Sequence, residues 1–390
     1  MRRGAFVGGV TSVAAAPASA DTVTLPFGNG ERQLAAFPQK RPLIVMTTRP
    51  VQLETPFSVF DAGTYTPNDA FFVRWHLANV PTRIDPETFE VRVHGSVQKE
   101  LRLRLDDLRT QFDAVELPAV LECAGNSRGF VAPRVPGGQW ANGAMGNARW
   151  KGVRLRDVLA RAGILPSAVQ VRFQGADRPA LPVTPEFVKA LDLAVATDPN
   201  VLIAYEMNGA PLPLLNGFPL RLIVPGYFGT YWVKMLNDIA LLDAPEQNFW
   251  VKTAYRVPDT PNNSVAPGAS GFATVPIGKL TVRSFITSVP DGATVRRGAL
   301  RVRGIAFDGG SGIREVKFSA DGGRTWTAAT LQAAPGTFSF YRWESSFTAV
   351  PGTNALSVKA TSNAGDEQIE RWNPSGYARN AVETISVTAV

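Results

Sequence analysis

Apolar and polar residues alternate with period two at several places along the chain. Residues 89–95 (FEVRVHG), 280–286 (LTVRSFI) and 300–307 (LRVRGIAF) carry the pattern. Such alternation puts one face of a strand into a core and the other towards water. Residues 220–226 (LRLIVPG) are a mostly apolar run closed by Pro-Gly, the mark of a buried strand ending in a turn. Residues 153–163 (VRLRDVLARAG) follow a helical period instead, and Gly163 stands where a helix would stop.

From about 65 to 260, short apolar runs and turn signals succeed one another without the regular strand–helix alternation of a doubly wound sheet. That predicts an α+β domain over 65–260. From 278 onward the helical signal nearly vanishes. Residues 316–320, the Asp321-Gly322-Gly323 turn and residues 325–327 read as a hairpin, and residues 338–343 and 355–360 as further strands. This predicts a β-sandwich of immunoglobulin type over 278–390. Residues 261–277, rich in Pro, Gly, Asn and Ser, read as the linker. Residues 21–64 read as an extended, Pro-punctuated arm wrapped on the main domain.

Composition agrees. A chain of 390 residues that is 45% hydrophobic holds enough apolar material for two domains, and 35 Gly with 30 Pro favour turns and short strands. The net charge of +7 suits an anionic substrate or an acidic partner. Lys and Arg are spread along the chain and no nucleic-acid motif is present, which argues against nucleic-acid binding. Arg2 and Arg3 precede an Ala/Gly/Val-rich stretch that ends in Ala18-Ser19-Ala20, so residues 1–20 are expected to be an export leader and the mature protein periplasmic. The paired arginines suggest the twin-arginine route, with an ordinary secretory leader as the alternative. No later apolar run reaches the length of a membrane span.

The chain has one cysteine, Cys123, and two histidines, His76 and His94. One thiol excludes an intrachain disulfide, a Cys-rich zinc site, a protein-ligated iron–sulfur cluster and C-x-x-C-H haem attachment. Two histidines argue against a bis-histidine haem. Any redox cofactor must therefore need few protein ligands, and its electrons must leave to another protein.

Four segments could carry chemistry. The first is residues 121–128 (LECAGNSR), where Cys123 lies in a turn five residues before Arg128. A nearby cation favours the metal-binding thiolate, and a soft sulfur suits a transition metal already held by other sulfurs. Burial as a structural cysteine stays open on these residues alone. In residues 71–76 (FFVRWH), period two puts Arg74 and His76 on one strand face, where together they can hold an anion; a surface ion pair and a core histidine are the plainer readings. Residues 216–221 (NGFPLR) and 224–234 (VPGYFGTYWVK) place Arg221 and Lys234 in apolar, Gly-turned surroundings that call for an anionic partner such as phosphate. Neither a P-loop nor a dinucleotide fingerprint is present. Residues 248–256 (NFWVKTAYR) combine aromatics with a potential proton donor, Tyr255, or simply pack at a domain edge.

Taken in order, and with residues 204–213 (AYEMNGAPLP), these motifs resemble the sulfite oxidase family of molybdenum enzymes, above all the molybdenum subunit of bacterial sulfite dehydrogenases. The resemblance covers about 65–390, since that family also ends in an immunoglobulin-like dimerisation domain. It implies that Cys123 ligates molybdenum and that a pyranopterin dithiolene (molybdopterin) supplies two more sulfurs. It implies a sulfite pocket lined by Arg74, Arg128 and Tyr255 and walled by Trp140 and Trp250. It assigns Phe72, Val73, Arg74, His76, Asp177, Asn216, Arg221, Trp232, Val233 and Lys234 to the cofactor. Trp75 stands where many relatives have Asn, and Asn216 where several have His, which puts one cofactor hydrogen bond in question; Asp177 aligns weakly. The implied reaction is oxygen-atom transfer to sulfite, giving sulfate, with electrons leaving singly to a c-type cytochrome, as a subunit or a soluble partner. A homodimer is a possibility the family raises. A periplasmic sulfoxide reductase of the same fold is an alternative, although such relatives usually lack the sandwich. A non-enzymatic immunoglobulin-like binding protein would explain 278–390 but not the motifs at 71–255.

Overall fold

A computed structural model describes residues 21–390, so the expected leader lies outside the described residues. The fold is α+β, dominated by strands, with a β-sandwich at the C-terminal end. The α-helices are short; the longest among the described residues is Leu155–Ala162. It ends on Gly163 at φ +74, as its sequence predicts, but begins later, because Val153 and Arg154 complete the strand Met145–Arg154.

Two sheets build the first domain. One runs Val188–Asp192, Gln170–Gly175, Leu236–Leu242, Glu90–Gly95, Leu101–Arg104, with the Leu236–Leu242 and Glu90–Gly95 pair parallel. The other runs Ala210–Pro211, Leu202–Met207, Met145–Arg154, Ala114–Glu122, with Arg221–Ile223 also pairing to Leu202–Met207. The expected strand at 220–226 is therefore shorter than its apolar run. Their apolar faces share one core containing Trp150, Phe173 and Leu222.

The segment expected to be an arm is a folded element. Thr22–Thr24, Glu31–Ala35, Leu43–Thr48 and Val51–Glu54 form successive strands of a sheet whose last member is Val73–Arg74. Short strands with mixed burial hide this pairing from a local reading: Gln52 sits opposite Arg74 and Leu53 opposite Val73. The register of this sheet thus fixes Arg74.

The C-terminal sandwich packs a four-stranded sheet (Arg283–Ile286, Gly298–Phe307, Tyr341–Ala349, Thr330–Leu331) on a five-stranded one that includes Ile313–Ser319 and Gly352–Ser362. Trp343, Phe318 and Leu356 lie in the core between them. The turn after Ile313–Ser319 is wider than a two-residue hairpin, and the Asp321 carboxylate organises it by accepting from the Arg324 and Thr325 amides. Thr274–Pro276, inside the expected linker, pairs with Arg256–Pro258 just before it.

Candidate active site

Cys123 follows directly on the strand Ala114–Glu122 and opens a tight turn. Its amide donates to the Ala144 carbonyl at 2.9 Å, and its carbonyl accepts from the Asn126 amide at 2.9 Å. The Asn126 side chain locks the turn from within: it donates to Glu122 Oε1 at 3.0 Å and accepts from the Ala144 amide at 3.0 Å. A Cβ at Gly125 would stand 2.7 Å from the Arg128 guanidinium, so a larger residue there would displace that side chain. The sequence C-A-G-N-S-R therefore folds so that Cys123 and Arg128 border one opening, with the thiol only partly buried.

Two adjoining cavities share the wall formed by Arg74, Cys123 and Tyr255. The inner one is a slot between Phe72, His76, Asn216, Arg221, Thr230 and Lys234. Arg74 and His76 do face it together, while Trp75 between them turns into the core and donates to the Leu215 carbonyl at 3.1 Å. His76 is half-buried, lies on the Phe187 ring at 3.7 Å and hydrogen-bonds the Tyr255 hydroxyl through Nε2. Burial, then Arg74, Lys234 and Lys189 in turn, hold His76 well below its ordinary pKa, so it is neutral. Burial, reinforced by Arg221, brings Lys234 down to about 7, and burial brings Arg221 to about 9.

These cations are crowded because the chain itself neutralises them poorly. Three more polar atoms of the slot, His76 Nδ1, Arg221 Nε and Thr230 Oγ1, are buried without a hydrogen-bond partner. A buried polar atom left unpaired costs about 1–3 kcal/mol. An anionic ligand with several acceptors and at least one donor would satisfy all of them. The donor set thus fits a phosphate-bearing pterin beside a metal-bound thiolate. The slot is the narrower of the two cavities, about 30 Å³.

The outer cavity is a cleft of about 360 Å³ lined by Gln52, Arg128, Gly137, Trp140, Ser375 and Tyr377 besides the shared wall. Arg128 Nε donates to the Ser375 carbonyl at 2.9 Å and Nη1 to the Gly138 carbonyl at 3.2 Å. These acceptors are neutral, so the guanidinium charge stays available to the cleft.

Among the expected site residues, Cys123, Arg74, Arg128, Tyr255, Trp140, Phe72, His76, Asn216, Arg221 and Lys234 line the slot or the cleft. Trp250 lines neither; it braces His76 from behind at 5.1 Å. Asp177 is buried near Lys234, whose charge opposes the upward push of burial on its carboxyl. Val73, Trp232 and Val233 turn their side chains away. Val73 packs with Leu43 and Leu53, Trp232 packs on Trp150, and Val233 joins the main core. Extended backbone alternates its faces: with Phe72 and Arg74 in the slot, Val73 must point outward, and Lys234 leaves Val233 the same fate.

Several residues at the site escape a sequence reading. Lys40, from the supposed arm, is buried and donates to Asn68 and Phe71 carbonyls at 2.6 and 2.9 Å, and to Asn216 Oδ1. Asn216 Nδ2 then donates to the Phe72 carbonyl at 3.0 Å. The amide that replaces a histidine is thereby oriented by a lysine 176 positions away. Lys189 lies against the Tyr231 and Tyr255 rings and donates to the Trp250 carbonyl at 2.6 Å. Neither lysine carries a local motif; Thr230 alone sat inside a segment already singled out.

Comparison with known proteins converges on the same assignment. The sequence matches the oxidoreductase molybdopterin binding domain over residues 76–250 and the Mo-co oxidoreductase dimerisation domain over residues 274–369. It is 38% identical to mitochondrial sulfite oxidase of Mus musculus across 74% of this chain, and spans 53% of that protein. It is 35% identical to sulfite oxidase of Gallus gallus across 90% of this chain and 78% of that protein. The crystal structure of the sulfane dehydrogenase SoxCD from Paracoccus pantotrophus superposes with a TM-score of 0.77 at 24% identity, over 92% of this chain and 88% of that one, and so shares its fold. With cavity, cation cluster and lone cysteine placed as they are, and a relative matched over most of its own length, the chain belongs to the sulfite oxidase family of molybdenum-cofactor oxidoreductases.

Proposed function

We propose that this enzyme oxidises sulfite to sulfate and delivers the electrons to a c-type cytochrome. The carrying observation is the shared wall of the two cavities, where Cys123 lies with Arg74 and Tyr255, while Arg128 faces the cleft. Cys123 would ligate the molybdenum; Arg221, Lys234, Thr230 and His76 would hold the pterin and its phosphate. When bound, that centre supplies two-electron oxygen-atom-transfer chemistry.

The chain's own residues supply the rest. Arg74 and Arg128 recruit a small oxyanion and orient it, since guanidinium forks match its oxygens and fixed orientation removes much of the entropic barrier. Tyr255, paired with neutral His76, offers a hydroxyl beside the thiol. Burial pushes its phenol far above the ordinary value, so the proton stays on and donates. Pairing of two chains through the sandwich belongs to the same proposal; light scattering on the holo chain is expected to show a dimer, and a strictly monomeric particle removes that part.

Metal analysis with sulfite-dependent reduction of cytochrome c tests the reading: molybdenum near one per chain and sulfite-driven turnover are expected. Arg74→Gln tests the substrate pocket. It leaves a polar, hydrogen-bonding end on a shorter side chain and deletes the charge. One charge-assisted contact contributes about 1.5–3 kcal/mol, so kcat/KM for sulfite is expected to fall by one to two powers of ten at normal molybdenum content. An unchanged kcat/KM for sulfite in fully metallated Arg74→Gln would remove Arg74 from the substrate pocket.

A further inference from the structure

We propose that Tyr377, delivered by the C-terminal sandwich, is a positioning residue that sets Arg128 and Tyr255 for an oxyanion in the cleft; this rests on the reading of that cleft as the substrate site. Tyr377 lies in none of the motifs singled out in the sequence, yet one ring touches both side chains. The Arg128 guanidinium carbon sits 4.9 Å from its centroid. The Tyr255 ring lies parallel to it, 5.3 Å between centroids and 7° between planes. Tyr255 itself holds a left-handed backbone at φ +59, rare for a bulky residue, so its ring direction depends on what it packs against.

The segment bearing Tyr377 is fastened to the cysteine turn. Asn373 brackets Tyr377, accepting from its amide at 3.2 Å and donating to its carbonyl at 3.0 Å. The Ala378 amide donates to the Ala124 carbonyl at 3.0 Å, one residue after Cys123. Gly376, at φ +57, allows the close approach: a Cβ there would meet Arg128 Cγ at 2.9 Å and Val135 Cγ2 at 2.6 Å. Arg128 therefore has three neutral restraints, the Ser375 and Gly138 carbonyls and the Tyr377 ring. Two of its five N–H donors are taken by these carbonyls. A desolvated cation–ring contact steers the guanidinium plane as well as holding it.

The test uses metallated protein carrying Tyr377→Ala, Tyr377→Leu or Tyr377→Phe. Sulfate affinity by calorimetry and the KM and kcat for sulfite are read alongside molybdenum content and melting temperature. Tyr377→Leu removes the ring face but fills more of the space than alanine, so it stands in if the alanine variant does not fold. Loss of the cation–ring contact is expected to weaken sulfate binding and raise KM by roughly ten- to thirtyfold. Tyr377→Phe, which retains the ring, is expected to stay within about threefold on both. A purely structural role would lower the melting temperature and leave sulfate affinity of the folded holoprotein untouched. Wild-type sulfate affinity and KM in metallated Tyr377→Leu would overturn the proposal. If wild type binds sulfate but does not oxidise sulfite, the sulfite reading fails, and the sulfate titration alone judges Tyr377. If wild type binds no sulfate, the proposal falls.

Discussion

Cys123→Ser is expected to give a folded protein with little molybdenum and activity reduced by roughly a hundredfold or more. Losing a partner that merely orients a metal ligand typically costs about 10- to 100-fold, and here the proposed ligand itself is removed. A serine oxygen is harder than thiolate and a poor match for a metal already surrounded by sulfur. The turn should survive, because its hydrogen bonds use the Cys123 backbone and the Asn126 side chain, not the thiol. Metal analysis, turnover and the melting curve of the variant check this together. Full activity in Cys123→Ser would remove Cys123 as the ligand.

Arg283→Met is expected to destabilise the protein by about 3–5 kcal/mol and to lower molybdenum retention as well. Arg283 belongs to the sandwich, yet its guanidinium is buried against the other domain. It donates to Glu122 at 3.3 Å, to Ser127 Oγ at 2.9 Å and to Glu383 at 2.8 Å, with both Arg283 and Glu122 1% exposed. Glu122 and Ser127 flank the cysteine turn. Removing the cation leaves the buried Glu122 carboxylate uncompensated, and burial already pushes that carboxyl upward against the pull of Arg283 and Asn126. Denaturant unfolding measures the loss. The double variant Glu122→Gln with Arg283→Met is expected to regain part of it, since both charges are then gone. A strictly additive cycle would show that the pair is not coupled.

The cysteine turn was legible because its chemistry is local: a thiol, a small residue and an arginine within six positions make one bend. The sandwich was legible because alternation repeats over whole strands such as Gly298–Phe307. The site's other half was not, because it depends on contacts between distant segments. Lys40 reaches Asn216 from within a stretch that lacked any strong period, and Tyr377 reaches Arg128 only once two domains have packed. The resemblance named Val73, Trp232 and Val233 without saying which way their side chains face; the backbone's alternation decides that. The supposed arm shows a further limit, since nothing in its sequence reveals that it pairs with the strand carrying Arg74.

The fastening of residues 373–378 onto the cysteine turn has a consequence for recombination. The junction at 261–277 looks like a natural breakpoint for exchanging C-terminal modules between relatives. A chimera cut there would not inherit a neutral assembly module. It would import foreign side chains at 283, 375 and 377, and with them one flank of the proposed substrate cleft and the anchor of the cysteine turn. Substrate preference should therefore travel partly with the C-terminal graft, and breakpoints that carry Glu122, Ser127 and Arg128 together with the sandwich should yield more intact hybrids than breakpoints at the junction itself.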